Sequence, residues 1–148
     1  MSSAIDELVI RVDVEASSWQ EAIEKAGSVL VEKGSITEDY IKEMIQSVYD
    51  LGPYMVLTKS FALVHAKPSN AVMKSDISLI TLKSSVNFNS KNDPVKVILC
   101  LASKDKISHV KNLKIIAERL MIDGVIEMIA SCSSEDQVYQ LLKYGLKR

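Results

Sequence analysis

Val95-Lys96-Val97-Ile98-Leu99-Cys100-Leu101-Ala102 decides the fold. Apart from Lys96 every residue is apolar, and a short run of this kind bounded by polar sequence reads as a strand buried on both faces. Such a strand belongs in the middle of a sheet, with a layer of other elements above it and another below. The sequence on either side supplies both layers.

Downstream, Ile107, Val110, Leu113, Ile116, Ala117 and Leu120 recur at helical spacing, with Asp105 or Ser108 available as the cap. Residues 125–129 suit a short helix. Ser134 and Gln137 then open another, which carries Val138, Leu141 and Leu142 and stops at Gly145. Upstream, residues 77–82 read as a strand, and Phe61 to Val64 as a shorter one running into His65. A further β-rich piece at 54–57 precedes it across a turn at 58–60, close enough to suggest antiparallel pairing.

Two amphipathic helices come before these strands. Ser18 and Glu21 fit a capping box, and Trp19, Ala22, Ile23, Ala26, Val29 and Leu30 share one face before Gly34 ends the helix. Thr37 then reads as an N-cap, with Glu38 and Asp39 in the positive first turn. Tyr40, Ile41, Met44, Ile45 and Val48 form the apolar stripe, which ends at Gly52-Pro53. Helices before, between and after the strands predict an α/β fold, a three-layer α/β/α sandwich around a mixed sheet.

The chain has 148 residues, 47% of them hydrophobic, which suits one domain spanning 1–148. Its formal net charge of −1, from 18 basic and 19 acidic residues, provides no field for attracting nucleic acid or an anionic membrane surface. Cys100 and Cys132 lie far apart and form no CxxC pattern, so reduced thiols in a cytoplasmic protein are expected. The N-terminus lacks a signal-peptide pattern, and no apolar stretch reaches the ~20 residues needed to span a bilayer.

The chemistry rests on the only two histidines, His65 and His109. Each follows an apolar strand, and the ends of strands are where α/β sheets place ligands. A neutral imidazole is a nucleophile at cellular pH, and a second one nearby supplies a hydrogen bond or a charge to whatever the first has captured. If the strands ending at Val64 and Ala102 are neighbours with the same direction, His109 and the free amides of its helix face His65, and helix N-termini bind phosphate. Ser108 lies at that helix start, and the loop at 66–71 adds Lys67 and Ser69 as candidate phosphate or partner contacts. Structural readings compete with each of these: a solvated lysine, a capping Asp105, a satisfied core histidine.

Other chemistries lack their equipment. Two histidines without a cysteine pair or carboxylate cluster make a poor metal site. The sequence has no GxxxxGK[ST], no GxGxxG and no GxSxG. With no cofactor expected, a phosphoryl group would have to arrive on another protein.

The stretches Trp19-Gln20-Glu21-Ala22-Ile23 through Gly34, Ile36-Thr37-Glu38-Asp39-Tyr40-Ile41, Gly52-Pro53-Tyr54, the strand into His65, and Asp105 to His109 together resemble a known family. They look like the enzyme IIA components of the bacterial sugar phosphotransferase system, of the mannitol/fructose type and particularly its L-ascorbate branch. The resemblance runs over about residues 5–145. It implies the mannitol/fructose-type enzyme IIA fold and a phosphoryl relay. The carrier HPr would phosphorylate His65, which would pass the group to a cysteine of enzyme IIB for use on a sugar entering through the membrane subunit, enzyme IIC. The histidine at the His109 position would support the phosphorylated one. The family usually has proline before the active histidine and arginine two residues after it, where this chain has Val64 and Lys67. Valine frees the backbone that proline would fix, and lysine replaces a bidentate fork with a point charge. The rival reading is a regulatory protein of the same fold whose binding is switched by phosphorylation of His65.

Overall fold

The run at 95–102 is the central strand of a five-stranded sheet. The computed structural model describes residues 8–105 and 110–144, side chains of 110–112 excepted. In chain order its elements are β1 (Val9–Val14), α1 (Trp19–Glu32), α2 (Glu38–Leu51), β2 (Val56–Thr58), β3 (Phe61–Val64), β4 (Asp76–Val86), β5 (Val95–Ala102), α3 (Val110–Leu120), α4 (Val125–Ala130) and α5 (Glu135–Tyr144). The strand order is β1-β4-β5-β3-β2. β5 runs parallel to β3 and antiparallel to β4, β1 is parallel to β4, and β2 is antiparallel to β3. The sheet is therefore mixed.

Alternation along β5 divides the core in two. Ile98, Cys100 and Ala102 join the cluster formed with α1 and α2, while Val97 and Leu99 join the one formed with α3, α4 and α5. This is the three-layer arrangement, and it leaves the β5 side chains packed on both faces of the sheet. Truncating Ile98 or Leu99 to alanine would cost about 2–5 kcal/mol through lost burial and the cavity left behind.

The first helix ends as its sequence demands. Gly34 takes a positive φ of 77°, its N–H donates to the Val31 carbonyl, and Ser35 N–H donates to the Leu30 carbonyl, a Schellman closure. α1 and α2 approach closely at Gly27, where an added Cβ would lie 2.6 Å from Ile41 Cγ1. Hydrogen there lets the two helices form one layer.

Several boundaries differ from the sequence reading. Tyr54 lies in a turn closed by Val56 N–H to the Pro53 carbonyl, so β2 begins only at Val56. β4 continues past Leu82 to Val86. β1 has no counterpart among the predicted strands: it is an edge strand with Arg11 exposed, so its apolar signal is diluted. Ser18 caps α1 by accepting from Glu21 N–H, but Glu21 reaches back to the N–H of Ser17 rather than of Ser18. Thr37 stands at the N-cap of α2 without a side-chain cap bond. Its N–H instead donates to the Ala71 carbonyl, tying α2 to the loop after β3. The proposed cap Ser108 lies outside the described residues, as does Gly145.

Candidate functional site at the end of strand β3

β3 and β5 are hydrogen-bonded neighbours running the same way, with Val64 opposite Cys100. The strand that leads into His65 and the strand that leads toward His109 thus leave the sheet at one edge. His109 and Ser108 themselves lie outside the described residues.

His65 follows directly on β3 and is half-buried. Its Nδ1 lies 3.0 Å from the Leu63 carbonyl oxygen. A carbonyl only accepts, so Nδ1 carries the proton, and in the neutral ring Nε2 keeps its lone pair. The ring of Tyr54 stands edge-on to the imidazole, 5.6 Å between centroids at 87°, and restrains it from one side. Tyr54 is itself 41% exposed.

Helix α2 holds the loop that follows. The buried phenol of Tyr40 accepts a hydrogen bond from Ala66 N–H at 2.9 Å, and its oxygen lies 2.9 Å from the Leu101 carbonyl and 3.1 Å from that of Ala66. Burial pushes its pKa well above the ordinary tyrosine value, so the hydroxyl keeps its proton. One turn further along α2, Glu43 accepts from Ser69 Oγ at 2.7 Å. Ser69 Oγ also accepts from Ala71 N–H at 3.2 Å. The Ser69 hydroxyl therefore shapes the loop and has spent its proton on Glu43. Lys67 is exposed beside His65 in sequence.

Val64, standing where the resembled family usually has proline, is fully buried in the α1–α2 side of the core. It also carries an N–H that proline would lack, and β3 is a regular strand up to His65.

Tyr40, Glu43 and Tyr54 are the site residues the sequence reading overlooked as such. Tyr40 appears there only as part of an apolar stripe. The available signal is chemical: a tyrosine among isoleucines and methionines buries a hydroxyl that must find partners.

A mixed α/β sandwich that presents a nucleophilic imidazole nitrogen at a sheet edge has the equipment of a histidine phosphocarrier. The sequence profile of the family described as "Phosphoenolpyruvate-dependent sugar phosphotransferase system, EIIA 2" matches residues 3–145, and the chain belongs to that family. It is thus a phosphotransferase component of the enzyme IIA kind. The chain is 31% identical over 145 residues to the mannitol-specific cryptic phosphotransferase enzyme IIA component of Escherichia coli K12, covering 98% of this chain and 99% of the relative. It is 30% identical over 135 residues to the ascorbate-specific PTS system EIIA component of the same organism, covering 90% and 88%. The solution structure of the E. coli mannitol-specific cryptic enzyme IIA superposes with a TM-score of 0.85 at 30% identity, covering 97% of this chain and all of that one. Mannitol-type and ascorbate-type relatives are thus about equally similar. No described helix is long and apolar enough to cross a membrane.

Proposed function

We propose that His65 is the phosphoryl acceptor of this enzyme IIA, receiving the group from phospho-HPr and passing it to a cysteine of enzyme IIB, and through it to transport by enzyme IIC. The observation that carries this is the bond between His65 Nδ1 and the Leu63 carbonyl, which leaves Nε2 as the nucleophile. Nε2 attacks the phosphorus of the donor phosphohistidine, and the donor nitrogen leaves with the electron pair of the broken P–N bond. The His65 ring then carries a phosphoryl group on Nε2 and a proton on Nδ1, a net gain of positive charge within the ring. The Leu63 carbonyl, already aimed at Nδ1, stabilises that charge without rearranging. Transfer to a thiolate of enzyme IIB runs the same steps toward the new acceptor.

His109 is assigned as the supporting imidazole, and Lys67 and Ser108 as phosphate or partner contacts. Ser69 acts in the same neighbourhood by holding the loop. The exposed ring of Tyr54 offers apolar ground for HPr and enzyme IIB to occupy in turn. A cytoplasmic location fits exchange between soluble partners. L-Ascorbate and mannitol are the sugars named by the relatives, and both suit this role.

The test is a relay. The chain is incubated with phosphoenolpyruvate, enzyme I and HPr, freed of them, and mixed with cognate enzyme IIB. Intact mass should show one phosphoryl group gained by the chain and then lost to the enzyme IIB cysteine. A phosphorylated chain that keeps its group beside every cognate enzyme IIB would instead support the regulatory reading.

A further inference from the structure

We propose that Tyr40 is a positioning residue for the phosphoryl acceptor, its hydroxyl standing in for the backbone rung that would otherwise join β3 to β5 just after His65. The proposal rests on the reading of His65 given above.

The register makes the substitution visible. Val97 N–H donates to the Ser60 carbonyl at 3.0 Å, which fixes the parity of the parallel β3–β5 ladder. In a parallel pair the rungs recur every two residues along each strand. The amides of Leu99 and Leu101 therefore face the carbonyls of Ala62 and Val64. The amides of Ala62, Val64 and Ala66 face the carbonyls of Val97, Leu99 and Leu101. The last of these rungs, Ala66 to Leu101, is replaced. Ala66 N–H donates to Tyr40 Oη at 2.9 Å, and Oη in turn lies 2.9 Å from the Leu101 carbonyl.

A hydroxyl is suited to this place because it accepts and donates through one atom. It satisfies both orphaned backbone groups while holding the two chain ends further apart than a direct bond would. His65 is then fixed on both sides: by the ladder that ends at Val64, and by the phenol that grips the next peptide. Since its ring bonds the Leu63 carbonyl two residues back, the backbone between Leu63 and Ala66 sets where Nε2 points. The same phenol fixes the carbonyl of Leu101, one residue before β5 ends and the chain turns toward His109. Tyr40 is fully buried, so it acts through the backbone and not by touching a partner.

Tyr40→Phe in the full chain removes the hydroxyl and keeps the ring. Three readouts apply, at a temperature where both proteins are folded. Nitrogen-15 shifts of the His65 ring should show the Nδ1–H tautomer in the wild type and a mixture in the variant. Single-turnover acceptance from saturating phospho-HPr should fall about tenfold, the scale set by one lost hydrogen bond, with the half-saturating HPr concentration unchanged. Exchange of the Ala66 amide should be slow in the wild type, a measurement that needs no variant. Ser78→Ala, which removes a buried bond to the Ala26 carbonyl away from the site, serves as the structural control and should alter neither ring nor rate. An unchanged tautomer and rate in Tyr40→Phe, an equal loss in Ser78→Ala, or fast Ala66 exchange would each overturn the proposal. If the wild type accepts no phosphoryl group, the reading of His65 fails, while the tautomer and exchange data still decide whether Tyr40 positions the ring.

Discussion

Two buried polar anchors lie along the same edge of the sheet, and they are built from opposite chemistry. One is the Tyr40 phenol between Ala66 and Leu101. The other is Asp76, which pairs with Ala102 in the β4–β5 ladder and so begins β4 where β5 ends. Asp76 accepts from Ser35 Oγ at 2.7 Å and from Ile77 N–H at 2.9 Å, and pairs with Lys33 Nζ at 2.8 Å. The phenol anchor is neutral, and burial keeps it neutral. The aspartate anchor is charged: burial alone would raise its pKa, but Lys33, Ser35 and the Ile77 amide outweigh that and hold the carboxyl below its usual range. The comparison separates two tasks. A neutral group can fix a reactive loop without adding a field or a titration to it, whereas a charged cluster stitches the end of α1 to the sheet and makes stability depend on pH.

Of the two anchors, the charged one should cost more stability when it is broken. Asp76→Ala leaves the Ser35 hydroxyl buried without its acceptor and Lys33 without its counter-ion. Because Lys33 is partly exposed and recovers water, we expect a loss of about 2 kcal/mol in urea unfolding. Phosphoryl acceptance per folded molecule should stay at the wild-type rate, in contrast to Tyr40→Phe.

Acid sharpens the same contrast. The Asp76 carboxyl titrates lower in the folded chain than in the unfolded one, so its contribution is fully present above the unfolded value of ~3.9 and is lost as pH falls through the folded value. Stability measured from pH 6 downward should therefore decline below pH ~4 more steeply in the wild type than in Asp76→Asn. Equal slopes would show that the charged form is not favoured by folding.

The smallest effect concerns the second tie between α2 and the loop. Ser69→Ala frees Glu43, which is near enough to solvent to be hydrated, and should cost about 0.5–1 kcal/mol. It should slow phosphoryl acceptance less than Tyr40→Phe does, because the backbone that Ser69 holds, at Ala71, is further from His65 along the chain than Ala66, which Tyr40 holds. A larger loss than for Tyr40→Phe would move the main positioning role to Glu43.

Much of this was readable in the chain because it is carried by periodicity. The apolar run at 95–102 gave the central strand and the need for two helical layers, and the stripes of α1 and α2 gave one of those layers. The parallel neighbour relation between β3 and β5, stated only as a condition in the sequence, is what makes the strand before His65 and the strand that precedes His109 in the chain end on the same side of the sheet. Polar anchors escaped because their partners are distant in sequence: Tyr40 meets Leu101, and Ser35 meets Asp76. A stripe analysis counts Tyr40 as apolar and is blind to its oxygen. Edge strand β1 escaped for a different reason, since Arg11 and Asp13 are exposed and interrupt its apolar pattern with charge. Among the proposed site residues, Ser69 has its hydroxyl engaged within the fold, whereas Lys67 is exposed as a loop lysine is expected to be.

The central claim is that His65 carries the phosphoryl group. Wild type and His65→Gln, whose unfolding midpoints should lie close together because the ring is half-buried and bonds a backbone carbonyl, would be incubated with phosphoenolpyruvate, enzyme I and HPr and followed by intact mass. The account predicts one acid-labile phosphoryl group on the wild type and none on His65→Gln. A phosphoryl group retained by folded His65→Gln, or none on the wild type beside a competent cognate HPr, would contradict it.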